Sequence, residues 1–217
     1  MAEPGSSEWD EAAAAATGDI GPWSEAWRPD PELGAAFVDL IATLRRLQDL
    51  AAGSRPTVAA AREAARLAAA AADQLSGYQV SEHDQIAGKQ PHIPGRAQSL
   101  IPAVHYEHAA ADQVRAHVTF SRYYLGGGGA VHGGALPLVF DEVLGRLAGA
   151  GGRPRSRTAY LHVNYRTITP LDRELQLQAV VDRVEGRKIW ISAALRDGGT
   201  LLSDAESLFV TLKPWQP

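Results

Sequence analysis

Residues 126–145 combine a glycine run, a histidine and two adjacent carboxylates, so their residue types and spacing could carry out chemistry. The segment reads GGGGAVHGGALPLVFDEVLG, and His132, Gly133 and Gly134 stand where an apolar helix is predicted to begin. The first N–H groups of a helix have no intrahelical acceptor, and glycine lets a substrate approach them closely. Asp141 follows among apolar neighbours that would partly exclude water and favour its action as a base or nucleophile. Backbone donors for an oxyanion beside a carboxylate suit acyl transfer.

Two other glycine-rich sites do not fit this segment. A phosphate-binding P-loop requires Gly-Lys-Ser/Thr, and no lysine lies near the helix start. A dinucleotide-binding fold alternates strands with helices, whereas only strands are predicted after this helix. The alternative that stays open is an ordinary glycine loop with a solvated Asp141.

Composition excludes several further classes of site. The chain has 217 residues, is 45% hydrophobic, carries a net charge of −4 and has no cysteine. The acidic balance argues against a general nucleic-acid binder, and the missing cysteines exclude disulfides, thiolate catalysis and cysteine–zinc sites. The N-terminus lacks the features of a secretory signal, and no apolar run is long enough to span a membrane, so we expect a cytoplasmic protein.

The elements that must position these residues change character near residue 95. Before this point, apolar spacings of three and four predict helices over 31–51 and 57–76, followed by a loop over 77–97. Three tryptophans near the N-terminus predict an irregular arm that docks on a surface. After residue 95, one helix over 133–149 is surrounded by segments of alternating polarity. These predicted strands are 98–107, 112–120, 157–167, 173–185, 187–196 and 200–213, with hairpin turns at Glu185-Gly186 and at Asp197-Gly198-Gly199. We therefore expect an α+β architecture, with an N-terminal unit over 1–95 and a sheet domain over 96–217.

The motif HGG-x6-D at the start of a central helix resembles the hotdog-fold acyl-CoA thioesterases. The nearest branch is that of the phenylacetate-pathway and thioesterase-superfamily-member enzymes. The segments TAYLHVNYRTITPL, VEGRKIWISAAL and LLSDAESLFVTL resemble the strands that follow the helix in this family. The resemblance covers residues 98–213, about half of the chain.

The resemblance implies a hotdog fold, in which an antiparallel sheet wraps a central helix, and a homodimer with the active site at its interface. A dimer of dimers is a further option. It implies that Asp141 acts as base or nucleophile and that the amide of Gly133, helped by Gly134, polarises the thioester carbonyl. His132 would shape the loop, and the hydroxyl of Thr158 would come from the partner subunit and orient water. Coenzyme A enters as part of the substrate, and no metal or redox cofactor is implied.

Two further residues near the motif, Gly126 and Glu142, affect what the predicted site can do. Many relatives have Asn six residues before the HGG histidine, where this chain has Gly126, so a side-chain amide is missing. Glu142 follows Asp141, but adjacent helix residues point about 100° apart, so only one can face the site. We expect Asp141 to face it, with Glu142 on the surface or in an interface ion pair.

Basic residues near the predicted hairpin and strand ends could bind the phosphates of coenzyme A. Arg187 and Lys188 follow one hairpin turn, and Arg155 and Arg157 precede the Thr158 strand. A solvated hairpin tip is the alternative for Arg187 and Lys188.

The leading hypothesis is thus an acyl-CoA thioesterase, and two rivals stay open. One is a hotdog enoyl-CoA hydratase or dehydratase, and the other is a non-catalytic acyl-CoA-binding or scaffold protein. Gly126 and the long N-terminal extension favour the second rival.

Overall fold

A computed structural model describes residues 31–90, 93–213 and 215. Within these ranges, three α-helices occupy Pro31–Gly53 (α1), Val58–Ser76 (α2) and Ala135–Ala148 (α3). All three predicted helices are confirmed to within two residues at each end. Thr57 caps α2, because its Oγ1 accepts a hydrogen bond of 3.2 Å from the N–H of Ala60. The predicted tryptophan arm lies outside the described residues.

Eight strands follow the N-terminal helices and build two antiparallel sheets. The strands are β1 (Val104–Ala109), β2 (Gln113–Thr119), β3 (Leu125–Gly127), β4 (Ala130–Val131), β5 (Ser156–Tyr165), β6 (Glu174–Glu185), β7 (Lys188–Asp197) and β8 (Thr200–Thr211). Six of them form one sheet in the order β1-β2-β6-β7-β8-β5, and β3 pairs with β4. Within these six strands, β5 forms one edge of the sheet, directly beside the last strand of the chain.

Both predicted hairpins are confirmed by the strand register. Glu185 pairs with Lys188 across the first turn, and Asp197 pairs with Thr200 across the second. The predicted strand over 98–107 was wrong at its start, because β1 begins only at Val104 after an irregular segment that contains a proline. The short β3–β4 hairpin inside the glycine run was not predicted.

The core lies between α3 and the face of the large sheet that the helix packs against. Buried residues alternate along the strands with period two, so one face of each central strand meets the helix. On α3 the large buried apolar side chains are those of Leu136, Val139, Phe140, Val143, Leu144 and Leu147. Each such side chain contributes about 1.5–3 kcal/mol when fully buried. This packing fixes the rotation of α3 and therefore decides which of its residues face outward.

The N-terminal helices differ in how they meet the sheet domain. The Arg45 guanidinium on α1 donates hydrogen bonds to the carbonyls of Gln98 and Ile101, the latter at 2.7 Å. The Asp49 carboxylate accepts a 2.9 Å hydrogen bond from the N–H of Tyr123. Every residue of α2 is exposed in the single protomer. Neither α1 nor α2, nor any other helix of the described ranges, combines enough length with enough apolar character to cross a membrane.

Replacing Arg45 tests whether this contact anchors α1. Arg45→Ala leaves the carbonyls of Gln98 and Ile101 without their charged donor, and such a bond contributes about 2 kcal/mol. We expect a lower free energy of unfolding by about that amount in urea denaturation. The exposed Arg46 of the same helix is the matched control, since Arg46→Ala makes the same change in charge. Equal effects of the two substitutions would contradict the anchoring role.

Candidate active site

The HGG turn presents one free backbone donor at the start of α3. The N–H of Gly134 donates to His132 Nδ1 at 3.0 Å, and the His132 N–H donates to the Tyr124 carbonyl at 2.7 Å. The Tyr165 hydroxyl donates to the Gly133 carbonyl at 2.9 Å. Within the described part of the chain, the N–H of Gly133 meets no acceptor. Of the two predicted oxyanion donors, Gly133 is therefore available, whereas the amide of Gly134 already holds the His132 ring.

The position of the missing amide has no room for a side chain. A Cβ atom on Gly126 would lie 2.7 Å from the Cα of His132 and 3.0 Å from its backbone nitrogen. The three glycines that follow all have positive φ, from 57° to 145°, which only glycine adopts readily. The tight β3–β4 hairpin thus leaves little room for any side chain at position 126, including the asparagine that the family resemblance implies.

Asp141 lies two turns into α3 and is exposed in the protomer. Its Oδ1 accepts a 3.0 Å hydrogen bond from the hydroxyl of Thr158 on β5. The structure corrects two expectations here. The apolar neighbours Phe140 and Val143 turn into the core, so they do not surround the carboxylate. Thr158 reaches Asp141 from the same protomer, not from the partner, because β5 runs beside α3.

Glu142 is buried, which corrects its expected place on the surface. Its side chain is 5% exposed and forms an ion pair of 2.8 Å with Arg96 of the same chain. Burial raises the pKa of Glu142, and the charges of Arg96 and Arg146 oppose that rise. The one-residue step from Asp141 rotates Glu142 toward the segment that precedes β1, and this segment covers it.

Arg96 is a residue that sequence reasoning missed. It stands between Gly95 and Ala97. The φ values are 67° for Gly95, 53° for Arg96 and 57° for Ala97, all in the left-handed region. A non-glycine residue there costs about 1 kcal/mol and persists only where other contacts hold it. The N–H of Gly88 donates to the Arg96 carbonyl at 2.8 Å, and Glu142 holds the guanidinium. The sequence places Arg96 in a loop without indicating its partner.

A cavity of about 250 Å³ opens beside Asp141 and Thr158. The residues predicted to bind the phosphates of coenzyme A differ in whether they line this cavity. Arg155 and Arg157 line the cavity, and Arg187 and Lys188 do not. The Arg187 guanidinium donates to the Thr211 carbonyl at 3.0 Å. The amino group of Lys188 lies 5.9 Å from the ring of Trp190.

The HGG turn does not line this cavity. Gly133 precedes Asp141 by eight residues, a distance of about 12 Å along a helix axis. One protomer therefore places its free amide and its carboxylate at separate points on α3.

The histidines near the start of the sheet form a different contact. The ring of His105 stacks on that of His117, with centroids 5.1 Å apart. In the described ranges no cluster of three histidine or acidic residues could hold a metal ion.

Comparison with known proteins agrees with this architecture. Residues 128–203 match the family model of the thioesterase superfamily. The acyl-coenzyme A thioesterase THEM4 of Bos taurus is 35% identical over 94 residues, covering 42% of this chain and 38% of that protein. THEM4 of Xenopus laevis is 35% identical over 98 residues, covering 42% of each protein. The chain thus spans about two fifths of the length of the curated relatives that it matches.

A solved structure extends the likeness beyond this segment. The crystal structure of a thioesterase superfamily protein is 28% identical, with a TM-score of 0.71, covering 82% of this chain and 96% of that one. The sheet and its central helix thus share the hotdog fold of that solved structure, and residues 128–203 are similar to the thioesterase superfamily. The predicted resemblance and fold class are confirmed, and the particular branch stays a prediction.

Substitution of Gly126 tests the steric limit in the hairpin. Gly126→Ala brings a methyl group against the His132 backbone, so we expect a loss of about 1–3 kcal/mol in the free energy of unfolding. Gly199→Ala is the control, since a Cβ there meets nothing within 4 Å. Thermal and urea unfolding of both variants measure the difference. An unchanged Gly126→Ala protein would mean that the hairpin has room for a side chain.

Proposed function

We propose that this protein hydrolyses acyl-CoA thioesters to the free acid and coenzyme A. The observation that carries the proposal is the carboxylate of Asp141, held by the Thr158 hydroxyl at the edge of a cavity in a thioesterase-superfamily domain. The curated relatives are named acyl-CoA thioesterases, which supports the same chemistry.

The geometry assigns separate tasks to the two oxygens of Asp141. Oδ1 accepts a hydrogen bond from the Thr158 hydroxyl, which fixes the rotation of the carboxylate. Oδ2 can then take a proton from water as the water oxygen attacks the thioester carbon, or it can attack that carbon itself. The tetrahedral intermediate collapses by breaking the carbon–sulfur bond, and the thiolate of coenzyme A leaves and is protonated. If Asp141 attacks directly, water then hydrolyses the mixed anhydride. These steps use water, a carboxylate and backbone donors, so the proposal includes no metal or redox cofactor.

We further propose that the oxyanion donor comes from a second copy of the chain. In an acyl-transfer site, the hydrogen-bond donor lies about 3 Å from the oxyanion. The base or nucleophile lies about 3 Å from the atom that it deprotonates or attacks. Direct attack therefore needs the donor and the carboxylate closer together than the roughly 12 Å that separates Gly133 from Asp141 on one helix. The partner's helix start, with its free amide, would face Asp141 across a homodimer.

The large sheet offers an edge for this pairing. β5 is ten residues long and pairs only with β8 among the described strands. An edge strand presents unpaired N–H and C=O groups to another strand. Pairing through β5 would place the interface next to Thr158 and Asp141. A further dimer of dimers stays a prediction.

A non-catalytic acyl-CoA-binding protein is the second candidate. The hairpin at Gly126 excludes the amide that many relatives carry, and Asp141 is exposed in the single protomer. Thiol release separates the two candidates, because a binding protein retains acyl-CoA without liberating coenzyme A. Hydration of an enoyl-CoA would instead favour the hydratase alternative.

Removal of the carboxylate tests the proposed chemistry. Asp141→Ala is expected to lower kcat for thiol release by roughly 10²–10⁴-fold, the usual contribution of a general base, with the fold intact by circular dichroism. Thr158→Val, which loses one charge-assisted hydrogen bond, is expected to lower kcat by about 10–100-fold.

The exposed Asp39 of α1 supplies the matched control for the carboxylate, since Asp39→Ala removes the same charge away from the cavity. A screen over acyl-CoA chain lengths provides the substrate for all three variants. Similar rates for Asp141→Ala and the unaltered protein would remove Asp141 from the mechanism.

Mixed dimers test the shared site. Gly133→Pro removes the free N–H, so neither it nor Asp141→Ala alone forms a complete site. After subunit exchange, half of the dimers are mixed and each regains one of two sites, so about a quarter of the original activity is expected. Size-exclusion chromatography verifies that both variants assemble. No recovery in dimers shown to be mixed would mean that each site is built from one protomer.

A further inference from the structure

The cavity beside Asp141 continues as a groove along α3. Asp141, Gly145 and Gly149 are spaced by four residues, so they share one face of the helix, and the two glycines leave that face without side chains. From Asp141 to Gly149 the groove runs about 12 Å at the helical rise. A Cβ on Gly145 would lie 3.8 Å from Cε1 of Phe209, an ordinary contact. The backbone thus tolerates a larger residue, and glycine keeps the groove open.

Positive charge dominates the walls of this groove. Five cationic side chains line it against two carboxylates, and they are Lys89, Arg96, Arg146, Arg155 and Arg157. Glu142 is already engaged by Arg96 at 2.8 Å. Arg155 is exposed and forms no ion pair with a carboxylate of the described residues. The groove therefore keeps an excess of positive charge after its internal pair is counted.

Large apolar side chains are few on the walls of this groove. Sites for apolar groups are lined mainly by large hydrophobic and aromatic side chains. Among the described residues that line the groove, Phe209 is the one large apolar residue, and the others are charged, hydroxyl-bearing or glycine. Arginine guanidinium groups pair instead with carboxylates and phosphates, through two parallel hydrogen bonds.

We propose that this groove binds a carboxylate at the far end of the acyl group, with Arg155 as a specificity-determining residue. Arg155 precedes Thr158 by three residues, about 10 Å along an extended chain, so the carboxylate would lie away from the reacting carbon. Contact of Arg155 with a phosphate of coenzyme A is the alternative that the test separates. The inference rests on the proposed thioesterase function and adds to it the class of group that the groove accepts.

Three esters separate the two sources of negative charge. Glutaryl-CoA and valeryl-CoA carry five-carbon acyl groups and differ in the terminal carboxylate. Valeryl-N-acetylcysteamine keeps the valeryl thioester and lacks all phosphates. The rates kcat/KM are measured for the unaltered protein, Arg155→Gln, Arg155→Lys and the control Arg62→Gln, which alters an exposed arginine of α2.

Arg155→Gln loses a charge-assisted hydrogen bond, so we expect its kcat/KM to decrease by about 10-fold or more. A decrease confined to glutaryl-CoA identifies the acyl carboxylate. A similar decrease for both CoA esters, with the N-acetylcysteamine ester unchanged, would assign Arg155 to a phosphate of coenzyme A and overturn the inference. With glutaryl-CoA, Arg155→Lys is expected to recover part of the rate, because it keeps the charge and loses the paired geometry.

Two further results would overturn the inference. One is kcat/KM within about twofold of the unaltered protein for all three esters, and the other is an equal decrease for all three, which would indicate a structural effect. If the unaltered protein releases no thiol from these esters or from any acyl-CoA in the chain-length screen, the proposed function fails. Calorimetric binding of the same intact esters then tests the groove, and equal affinities for the unaltered protein and Arg155→Gln would overturn it.

Discussion

Burial of one face of α3 against the large sheet is the constraint on which the site depends. The apolar residues of the helix, including Val139, Phe140 and Val143, are almost fully removed from solvent. This packing fixes the helix rotation, and with it the outward direction of Asp141 and the inward direction of Glu142. A small rotation of the helix would separate Asp141 from Thr158 and expose the Arg96–Glu142 pair. The core therefore positions the chemistry without taking part in it.

The segment between the helical extension and the sheet belongs physically to the site. Gly88, Lys89 and Arg96 line the same cavity as Asp141. Arg45 on α1 holds the backbone just beyond Arg96 through the carbonyls of Gln98 and Ile101. Helix α1 is thus connected to the cavity beside Asp141 through a short chain of contacts. The predicted boundary between the N-terminal unit and the sheet domain, at residue 95, falls between Lys89 and Arg96, although both residues line one cavity.

Sequence patterns predicted the parts of the fold that local rules govern. Period-two alternation and the Glu185-Gly186 turn specify a long hairpin, and the apolar spacing over 133–149 specifies the central helix. The burial of Glu142 was not predictable from local sequence patterns, because it depends on Arg96, which lies 46 residues earlier in an irregular segment. Likewise, the motif spacing indicated Asp141 as a candidate, whereas only the contact across α3 and β5 shows that Thr158 of the same protomer reaches it. Contacts between distant segments, not local propensity, account for these differences.

The glycine hairpin also couples two parts of the site that are separate in the sequence. A Cβ on Gly126 would lie against the His132 backbone, and the next three glycines have φ values from 57° to 145°. A side chain at Gly126 would therefore have to displace the backbone of His132, and with it the turn that precedes α3. The hairpin and the HGG turn thus behave as one mechanical unit, so an engineered change at position 126 requires compensating changes in the turn.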